Sequence, residues 1–275
     1  MTNKLKTVFI TGGNRGIGLE LCKKFSEQHW KVYMGARDIA KARQAIALLD
    51  HKDAIIPIQI DVSDENSVKQ AFLSYQQLKD ENETLDVFIN NAGVNLDWHA
   101  DNDTYCKSLE SSADMLETIY KTNVFASIFT LKHFLPAMGK GTRVVNVASG
   151  AGEFWDANAN KDFQIGYAPS KSALIMTTKK LAAAVKDKGI YVNAVCPDWC
   201  QTDMGGHNAA YTAEQGALSV IKACFLTVST PPTGCYFRHG KRIPLDVKPY
   251  SLEFFKIIWH DYLLGRFFAK KSMWG

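Results

Sequence analysis

The alternation of strand-like runs with longer amphipathic segments constrains the fold of this chain more than any other feature. TVFIT (7–11) and KVYMGA (31–36) have the composition of buried strands, and GLELCKKFSEQ (18–28) between them has apolar residues at helical spacing. Because the alternation continues along the chain, we predict a parallel sheet with helices on both faces. Right-handed crossovers make such a sheet doubly wound.

The remaining elements are predicted on the same grounds. Further strands are expected at 54–61, 85–93, 142–149 and 189–196, and further helices at 40–50, 63–78, 112–138 and 166–187. The predicted fold class is therefore α/β: a single-domain Rossmann fold with a doubly wound parallel sheet of about seven strands. We place this domain at residues 1–245 and assign residues 246–275 to a C-terminal extension.

Composition limits the partners and the compartment. The 275 residues carry a formal net charge of +4 without a dense stripe of lysine and arginine, so we expect no nucleic-acid partner. The six cysteines are scattered without a C-x-x-C pair, which is typical of reduced thiols and predicts no metal site. MTNKLKT lacks the apolar segment of a secretory signal, and no stretch is apolar for long enough to span a membrane. These features together predict a cytoplasmic protein.

The loop TGGNRGIG (11–18) lies between the first predicted strand and the first predicted helix. Its three spaced glycines allow a tight turn, close approach of a phosphate to the backbone, and close packing of the helix on the strand. The helix N-terminus then offers N–H groups and its positive dipole end to a pyrophosphate. The alternative is a purely structural turn. The residues assigned to cofactor binding are Gly12, Asn14, Arg15, Gly16, Ile17 and Gly18.

The end of the second predicted strand indicates which dinucleotide binds. An acidic residue there would hydrogen-bond a ribose 2′-hydroxyl group. This chain instead has Arg37, with Arg15 in the glycine loop as a second candidate. Because a guanidinium binds phosphate through paired hydrogen bonds, the sequence favours NADP(H) over NAD(H). Asp38 is expected to cap the next helix.

Tyr167 and Lys171, in YAPSK (167–171), are four residues apart, so on a helix they lie on one face. A tyrosine, with an ordinary pKa of about 10, gives up its proton reluctantly at neutral pH. A nearby ammonium lowers that pKa, so the pair has the chemistry of a tuned proton donor. The alternative is a surface pair. Pro169 requires the helix to begin close by, because proline suits only the first turn.

Four further stretches accompany these motifs: NNAG (90–93), KTNVF around Asn123, VVNVAS ending at Ser149, and CPDW (196–199). In their order along the chain they resemble the short-chain dehydrogenase/reductase family over roughly residues 5–245, most closely its carbonyl-reductase branch. The resemblance implies further cofactor contacts from Asp61, Val62, Asn91, Ala92, Gly93, Tyr167, Lys171, Pro197 and Thr202.

The resemblance also implies an activity, the NADPH-dependent reduction of a ketone, aldehyde or quinone. Tyr167 would supply the proton, Lys171 would tune the tyrosine and hold the nicotinamide ribose, and Ser149 would hydrogen-bond the substrate oxygen. Asn123 would position a water that links Lys171 to solvent. The alternatives are that Ser149 only ends a strand and that Asn123 is a buried, hydrogen-bonded helix residue.

The stretch between Ser149 and Tyr167 departs from the family pattern. Tyr167 follows Ser149 by 18 residues, which is longer than usual, and the extra residues lie in GAGEFWDANANKDF (150–163). Phe154 and Trp155 in this stretch either line a substrate pocket or cover the edge of the core.

A second departure follows Pro197, where Asp198 stands in place of the usual glycine. Its carboxylate is expected either to disturb cofactor binding or to turn to solvent. Trp199 and Met204 are predicted to line the substrate pocket with Ser149.

The tail, residues 246–275, is rich in Phe, Trp, Ile and Leu and has Arg266, Lys270 and Lys271 near its end. Its pattern predicts an amphipathic helix. The helix either packs on the body or at the interface of a homo-oligomer, or it lies on a membrane surface.

Two rival functions stay open. One is a dinucleotide-binding sensor or scaffold with weak chemistry, which Asp198 favours. The other is a membrane-associated reductase of lipid or steroid carbonyls, which the tail favours.

Overall fold

The computed structural model of the protein describes residues 5–99, 104–225 and 231–245. The chain divides into two compact units, residues 1–242 and 243–275, and only residues 243–245 of the second unit are described. The predicted tail helix lies outside the described residues, and the domain boundary at residue 245 stays a prediction. Within the described part of the chain, no helix has the length and apolar character needed to cross a membrane.

The described residues form the elements that the alternation predicts, with additional short ones. The strands are β1 (Thr7–Thr11), β2 (Lys31–Ala36), β3 (Ile55–Gln59), β4 (Leu85–Asn90), β5 (Trp98–His99), β6 (Thr104–Tyr105), β7 (Met138–Val147), β8 (Tyr191–Cys196), β9 (Cys200–Gln201), β10 (Tyr211–Thr212), β11 (Tyr236–Arg238) and β12 (Lys241–Ile243). The α-helices are α1 (Gly16–Glu27), α2 (Ile39–Ala47), α3 (Glu65–Leu78), α4 (Ala113–Tyr120), α5 (Ala126–Phe134), α6 (Tyr167–Ala184) and α7 (Ala213–Cys224).

The central sheet has eight strands among the described residues, in the order β12-β11-β8-β7-β4-β1-β2-β3. Each neighbouring pair from β11 to β3 is parallel. The chain passes from β1 to β2 and β3 on one side, and then returns to β4 on the other side of β1. Crevices for ligands form at such a reversal, outside the carboxyl ends of the strands. The predicted doubly wound fold is confirmed.

Alternate residues of the central strands pack on opposite faces of the sheet, as the two-residue period of a strand requires. On one face, Val8 and Ile10 pack with residues of α1, α2 and α7. On the other face, Phe9 packs with residues of α3, α5 and α6, and its ring stacks on that of Phe88 with a centroid distance of 5.0 Å. Both faces are therefore covered, which explains why the strands are almost continuously apolar.

Local chemistry explains where the elements differ in detail from the prediction. Pro57 is tolerated in β3 because that strand lies at the edge of the sheet. Helix α3 was predicted to open at Ser63, but its N-cap is Asp64, which accepts the Asn66 N–H at 2.9 Å. Helix α7 was not predicted at all, although Thr212 and Gln215 form a reciprocal capping box at its start.

Candidate active site

A cleft of about 1120 Å³ opens at the carboxyl ends of the strands. It is lined by the glycine loop, the ends of β2 and β3, the loops after β4, β7 and β8, and the start of α6. Parallel strands end at the same edge of a sheet, so motifs far apart in sequence meet here. Most of the predicted site residues line this cleft.

The glycine loop is shaped by close backbone contacts. Gly12 and Gly16 have φ values of 64° and 52°, in the left-handed region that glycine favours. A Cβ atom on Gly18 would lie 2.1 Å from the Gly12 carbonyl oxygen and 2.6 Å from Asn91 Nδ2. Asn91 Nδ2 in turn donates to the carbonyl oxygens of Thr11, at 3.0 Å, and Gly12, at 3.1 Å. The loop after β4 therefore holds the glycine loop in place.

Basic side chains line the cleft beside the end of β2. Arg37 and Lys41 are exposed there, and Arg15 Nη1 lies 2.5 Å from Asp203 Oδ2 across the cleft. Asp38, the acidic residue at this position, does not compete with them. Its Oδ1 accepts the N–H groups of Ala40 at 2.9 Å and Lys41 at 3.1 Å, which confirms the predicted cap. Lys41 was not among the predicted cofactor residues.

The remaining predicted cofactor residues also reach the cleft. A Cβ atom on Gly93 would lie 3.2 Å from Asn123 Oδ1 and 3.3 Å from Lys171 Nζ, so this glycine fits closely against these two side chains. A Cβ atom on Gly16 would lie 3.1 Å from Thr202 Cγ2. The other predicted cofactor residues that line the cleft are Asn14, Ile17, Asp61, Val62, Asn91, Ala92 and Pro197.

Tyr167 and Lys171 lie at the start of α6, with Ser149 at the end of the loop after β7. Helix α6 begins at Tyr167, so Pro169 falls within its first turn as predicted. Lys171 is only 4% exposed, and its Nζ donates to the Val147 carbonyl oxygen at 3.0 Å. The same Nζ lies 5.5 Å from the centroid of the Tyr167 ring, so the two side chains are neighbours and not a surface pair.

Burial shifts the pKa values of this pair in opposite directions, so that they move apart. Burial raises the pKa of Tyr167 to about 12, while a hydrogen bond with Ser149 acts to lower it. Burial lowers the pKa of Lys171 to about 8. The lowering of the Tyr167 pKa that was expected from Lys171 is therefore not seen, because burial of the phenol sets the direction of the shift. Tyr167 stays protonated at neutral pH, as a proton donor must.

Asn123 lies in a π-helical turn, Lys121–Phe125, that joins α4 to α5. Its Oδ1 accepts the Val94 N–H, and its Nδ2 donates to the Val94 carbonyl oxygen, both at 2.9 Å. Nδ2 also donates to Ser170 Oγ at 3.0 Å. Asn123 is thus buried and hydrogen-bonded, as the alternative to a role in positioning water predicts. A π-turn is typical of functional sites, and the role in positioning a water stays a prediction.

Asp97 was missed by the sequence analysis, although its side chain holds the backbone at Tyr167. It is fully buried, and its carboxylate accepts the N–H groups of Gly166 at 3.2 Å and Tyr167 at 2.6 Å. The positive end of the α6 dipole also stabilises a carboxylate at this place. No local pattern indicates the contact, because Asp97 precedes Tyr167 by 70 residues.

Aromatic side chains also line the cleft. Trp98, Tyr105 and Phe163 form a row, with ring centroids 4.6 Å and 4.5 Å apart along it. The sequence analysis missed these three residues, because they flank a loop without a recognisable motif. Of the predicted residues, Trp199 and Met204 line the cleft.

Phe154 and Trp155 are placed differently from either prediction. They are 89% and 53% exposed, and the structure does not bring them to the lining of the cleft or over the core. The cause is the turn in which they lie, closed by a 3.0 Å hydrogen bond from the Asp156 N–H to the Glu153 carbonyl oxygen. In this turn the Glu153 side chain faces inward, with 5% of its surface exposed.

Asp198 has a φ of 68°, in the region where the family's glycine would be unstrained. Its side chain is 14% exposed, so the expected turn to solvent is wrong. Oδ2 lies 2.6 Å from His239 Nε2, and Oδ1 lies 3.4 Å from Arg238 Nε. The basic side chains of the last strands therefore offset the carboxylate.

Comparison with known proteins shows the family of this chain. The model of the short chain dehydrogenase family matches residues 6–212. This chain belongs to that family. It is 31% identical over 265 residues to retinol dehydrogenase 12 of Bos taurus, covering 86% of this chain and 78% of the relative. It is 28% identical over 233 residues to a short-chain dehydrogenase of Penicillium roqueforti, covering 78% and 87%.

Solved structures refine the assignment within the short-chain dehydrogenase family. The NADPH-bound carbonyl reductase from chicken fatty liver superposes with a TM-score of 0.75 at 25% identity, covering 87% of this chain and 98% of that chain. Carbonyl reductase Sniffer of D. melanogaster shares the fold, with a TM-score of 0.74 at 22% identity, covering 86% and 97%. The protein is thus a short-chain oxidoreductase of the carbonyl-reductase-like branch.

The cleft has the features that a nicotinamide dinucleotide requires in a short-chain dehydrogenase. No side chain fits at Gly18, and a Cβ atom on Gly12 would lie 3.1 Å from Ala92 Cα. Because glycine has no side chain, a phosphate can approach the backbone of this loop closely. The lining of the cleft also includes Arg15, Arg37 and Lys41, whose charges suit phosphate groups, so the residues present fit the dinucleotide.

Proposed function

We propose that the protein reduces a ketone, aldehyde or quinone carbonyl to the alcohol with NADPH, reversibly. The observation that best supports this proposal is the position of half-buried Tyr167 beside buried Lys171, with Ser149, in the cleft that the glycine loop borders. A small-molecule carbonyl would enter from the aromatic end of the cleft.

NADP(H) is proposed over NAD(H) because of the charges beside β2. Arg15, Arg37 and Lys41 would hold the 2′-phosphate, and the glycine loop would hold the pyrophosphate. Lys171 would hold the nicotinamide ribose, with Pro197 and Thr202 near the nicotinamide. When bound, the nicotinamide supplies the hydride.

The chain's own residues supply the proton and the stabilising contacts. Tyr167 carries its proton on Oη at neutral pH and donates it to the substrate oxygen. Ser149 hydrogen-bonds the same oxygen as negative charge develops on it. The Lys171 ammonium stabilises the phenolate that remains after proton transfer.

The rival functions are supported less well. The sensor reading relied on Asp198, whose carboxylate is offset by Arg238 and His239. A reductase of lipid or steroid carbonyls remains the second candidate, because Trp98, Tyr105 and Phe163 line the cleft. Cytoplasmic location, a homo-oligomer and membrane contact through the tail stay predictions.

The test follows NADPH absorbance with a panel of quinones, aldehydes and ketones. Wild type should oxidise NADPH with at least one of them, and Tyr167→Phe should still bind NADPH but turn over little. Tight NADPH binding by wild type without turnover on any compound would favour the sensor instead.

A further inference from the structure

Three charged side chains meet below the catalytic loops, where β7, β8 and β11 end. The Arg238 guanidinium pairs through Nη2 with Oε1 of Glu153, and its Nε lies 3.4 Å from Asp198 Oδ1. Glu153 Oε1 also accepts the hydroxyl of buried Tyr236 at 2.7 Å. One guanidinium therefore joins the segment that follows Ser149 to the segment that follows β8.

The backbones of both segments lie against the same groups. A Cβ atom on Gly150 would lie 2.6 Å from Arg238 Nη2, so the guanidinium contacts the residue directly after Ser149. The Cys196 thiol links the same two segments, because its Sγ accepts the N–H groups of Gly150 at 3.1 Å and Asp198 at 3.3 Å. A shift of either segment would change both sets of contacts.

The conformation of Asp198 shows what its side chain adds. Glycine would adopt its φ of 68° without strain, so the backbone path does not require an aspartate. The carboxylate instead provides the contacts to Arg238 and His239. Of the charged side chains named here, Arg238 alone contacts both carboxylates.

We propose that Arg238 is a positioning residue, with Glu153 and Asp198 as its two anchors. It holds the Ser149 segment at a fixed distance from the segment that begins at Pro197. The inference rests on the proposed function, in which Ser149 contacts the substrate oxygen and the second segment contacts the cofactor. Loss of the guanidinium frees both segments and leaves two poorly solvated carboxylates without their shared cation.

The primary test is hydrogen exchange, read by mass spectrometry on the full-length, cofactor-free protein. Arg238→Met should speed exchange about tenfold in both 149–156 and 196–203, because both segments lose an anchor. Arg238→Lys keeps the charge and should restore part of the protection. Asp198→Gly keeps the Glu153 anchor and should affect only 196–203.

The matched control is Lys31→Met, which removes the cation of another buried ion pair, with Glu83. It should leave exchange in 149–156 and 196–203 unchanged. Unchanged exchange in Arg238→Met, or equal acceleration in the control, would overturn the inference. If Arg238→Met does not fold, hydrogen exchange of Arg238→Lys and Asp198→Gly in 149–156 and 196–203 tests the inference instead.

NADPH binding provides a second readout that separates positioning from general stability. Arg238→Met should raise the NADPH Kd about tenfold in the wild-type background and less than about threefold in the Asp198→Gly background. At saturating NADPH, kcat should fall in both backgrounds, because the Glu153 anchor is lost in each. If Arg238→Met raised the NADPH Kd by the same factor in both backgrounds, the role of Asp198 as an anchor would be contradicted. If wild type binds no NADPH, the proposed function fails, while the exchange experiment still decides the role of Arg238.

Discussion

Two buried clusters of the same composition lie at opposite ends of the central sheet. At the amino ends of the strands, Glu83 accepts the Tyr33 hydroxyl at 2.7 Å and pairs with Lys31 at 2.8 Å. At the carboxyl ends, Glu153 accepts the Tyr236 hydroxyl at 2.7 Å and pairs with Arg238. Each cluster thus combines a buried carboxylate, a buried tyrosine and a cation.

The difference between the clusters lies in what surrounds them. Lys31 contacts a second carboxylate, Asp80, at 2.9 Å, as Arg238 contacts Asp198, but the Lys31 cluster only ties β2 to the turn before β4. Arg238 contacts the loops that border the cleft. The same interaction is structural at one end of a parallel sheet and serves the site at the other, because only the carboxyl ends carry the crevice. Changes at the carboxyl end should therefore alter kinetics, and matched changes at the amino end should alter only stability.

The largest contrast is expected between the two tyrosine-to-phenylalanine changes Tyr167→Phe and Tyr33→Phe. Loss of the proton donor in Tyr167→Phe should lower kcat by about 10² to 10⁴-fold. Tyr33→Phe removes one hydrogen bond to Glu83 and should lower the free energy of unfolding by about 1 kcal/mol, with kcat unchanged. Steady-state kinetics and urea unfolding of both variants check this. A large loss of kcat in Tyr33→Phe would break the separation of the two ends.

The buried lysines at the two ends differ in pKa. Burial acts to lower the pKa of Lys31, but hydrogen bonds with Glu83 and Asp80 outweigh it, so that pKa is raised. Lys171 has no carboxylate partner among the residues that the structure describes, and burial lowers its pKa to about 8. Because the proposed mechanism needs a charged Lys171, kcat/KM for carbonyl reduction should fall about tenfold per pH unit above pH 8.

The stability of the cofactor-free protein should change in the opposite direction. Between about pH 8 and the ordinary lysine pKa of 10.5, the unfolded chain binds a proton at Lys171 that the folded chain has lost. The contribution of this residue to stability therefore rises with pH in that window. Urea unfolding of wild type and Lys171→Met across the window measures the contribution by difference. A kcat/KM for carbonyl reduction that stays constant up to pH 10 would contradict the lowered pKa of Lys171.

A smaller contrast is expected between Glu153→Gln and Glu83→Gln. Each change leaves a partly buried cation with a neutral partner and should lower the free energy of unfolding by about 1–3 kcal/mol. Only Glu153→Gln should also lower kcat, by about tenfold, because its loop carries Ser149. Kinetics at saturating NADPH separates the two variants. Equal kcat values in the two variants would show that Glu153, like Glu83, contributes only to stability.

Local patterns explain which parts of the site could be predicted. The glycine loop and the Tyr167–Lys171 pair each lie within one turn or one helical turn, so their geometry follows from spacing. The contact between Glu153 and Arg238 spans 85 residues and depends on how β7 and β11 are ordered in the sheet. Spacing carries no such information.

The direction in which side chains point was the other feature of the site that the sequence could not predict. Phe154 and Trp155 follow Ser149 closely, but the turn at Glu153 directs them to solvent. Helix α7 carries a capping box that could have been recognised, since Thr212 and Gln215 stand three residues apart. The aromatic row of Trp98, Tyr105 and Phe163 brings together two loops without motifs.

The smallest effect is expected at Asp97, which separates positioning from catalysis at the carboxyl end. Asp97→Asn keeps one oxygen acceptor for the N–H groups of Gly166 and Tyr167 but removes the charge at the start of α6. The free energy of unfolding should fall by about 1 kcal/mol, and kcat by only a few-fold, since Tyr167 keeps its hydroxyl. Ser112→Ala is a suitable control, because Ser112 caps α4 and accepts the Met115 N–H at 3.2 Å. It should cost similar stability without changing kcat, whereas an equal loss of kcat in the control would show that any loosened helix cap slows the reaction.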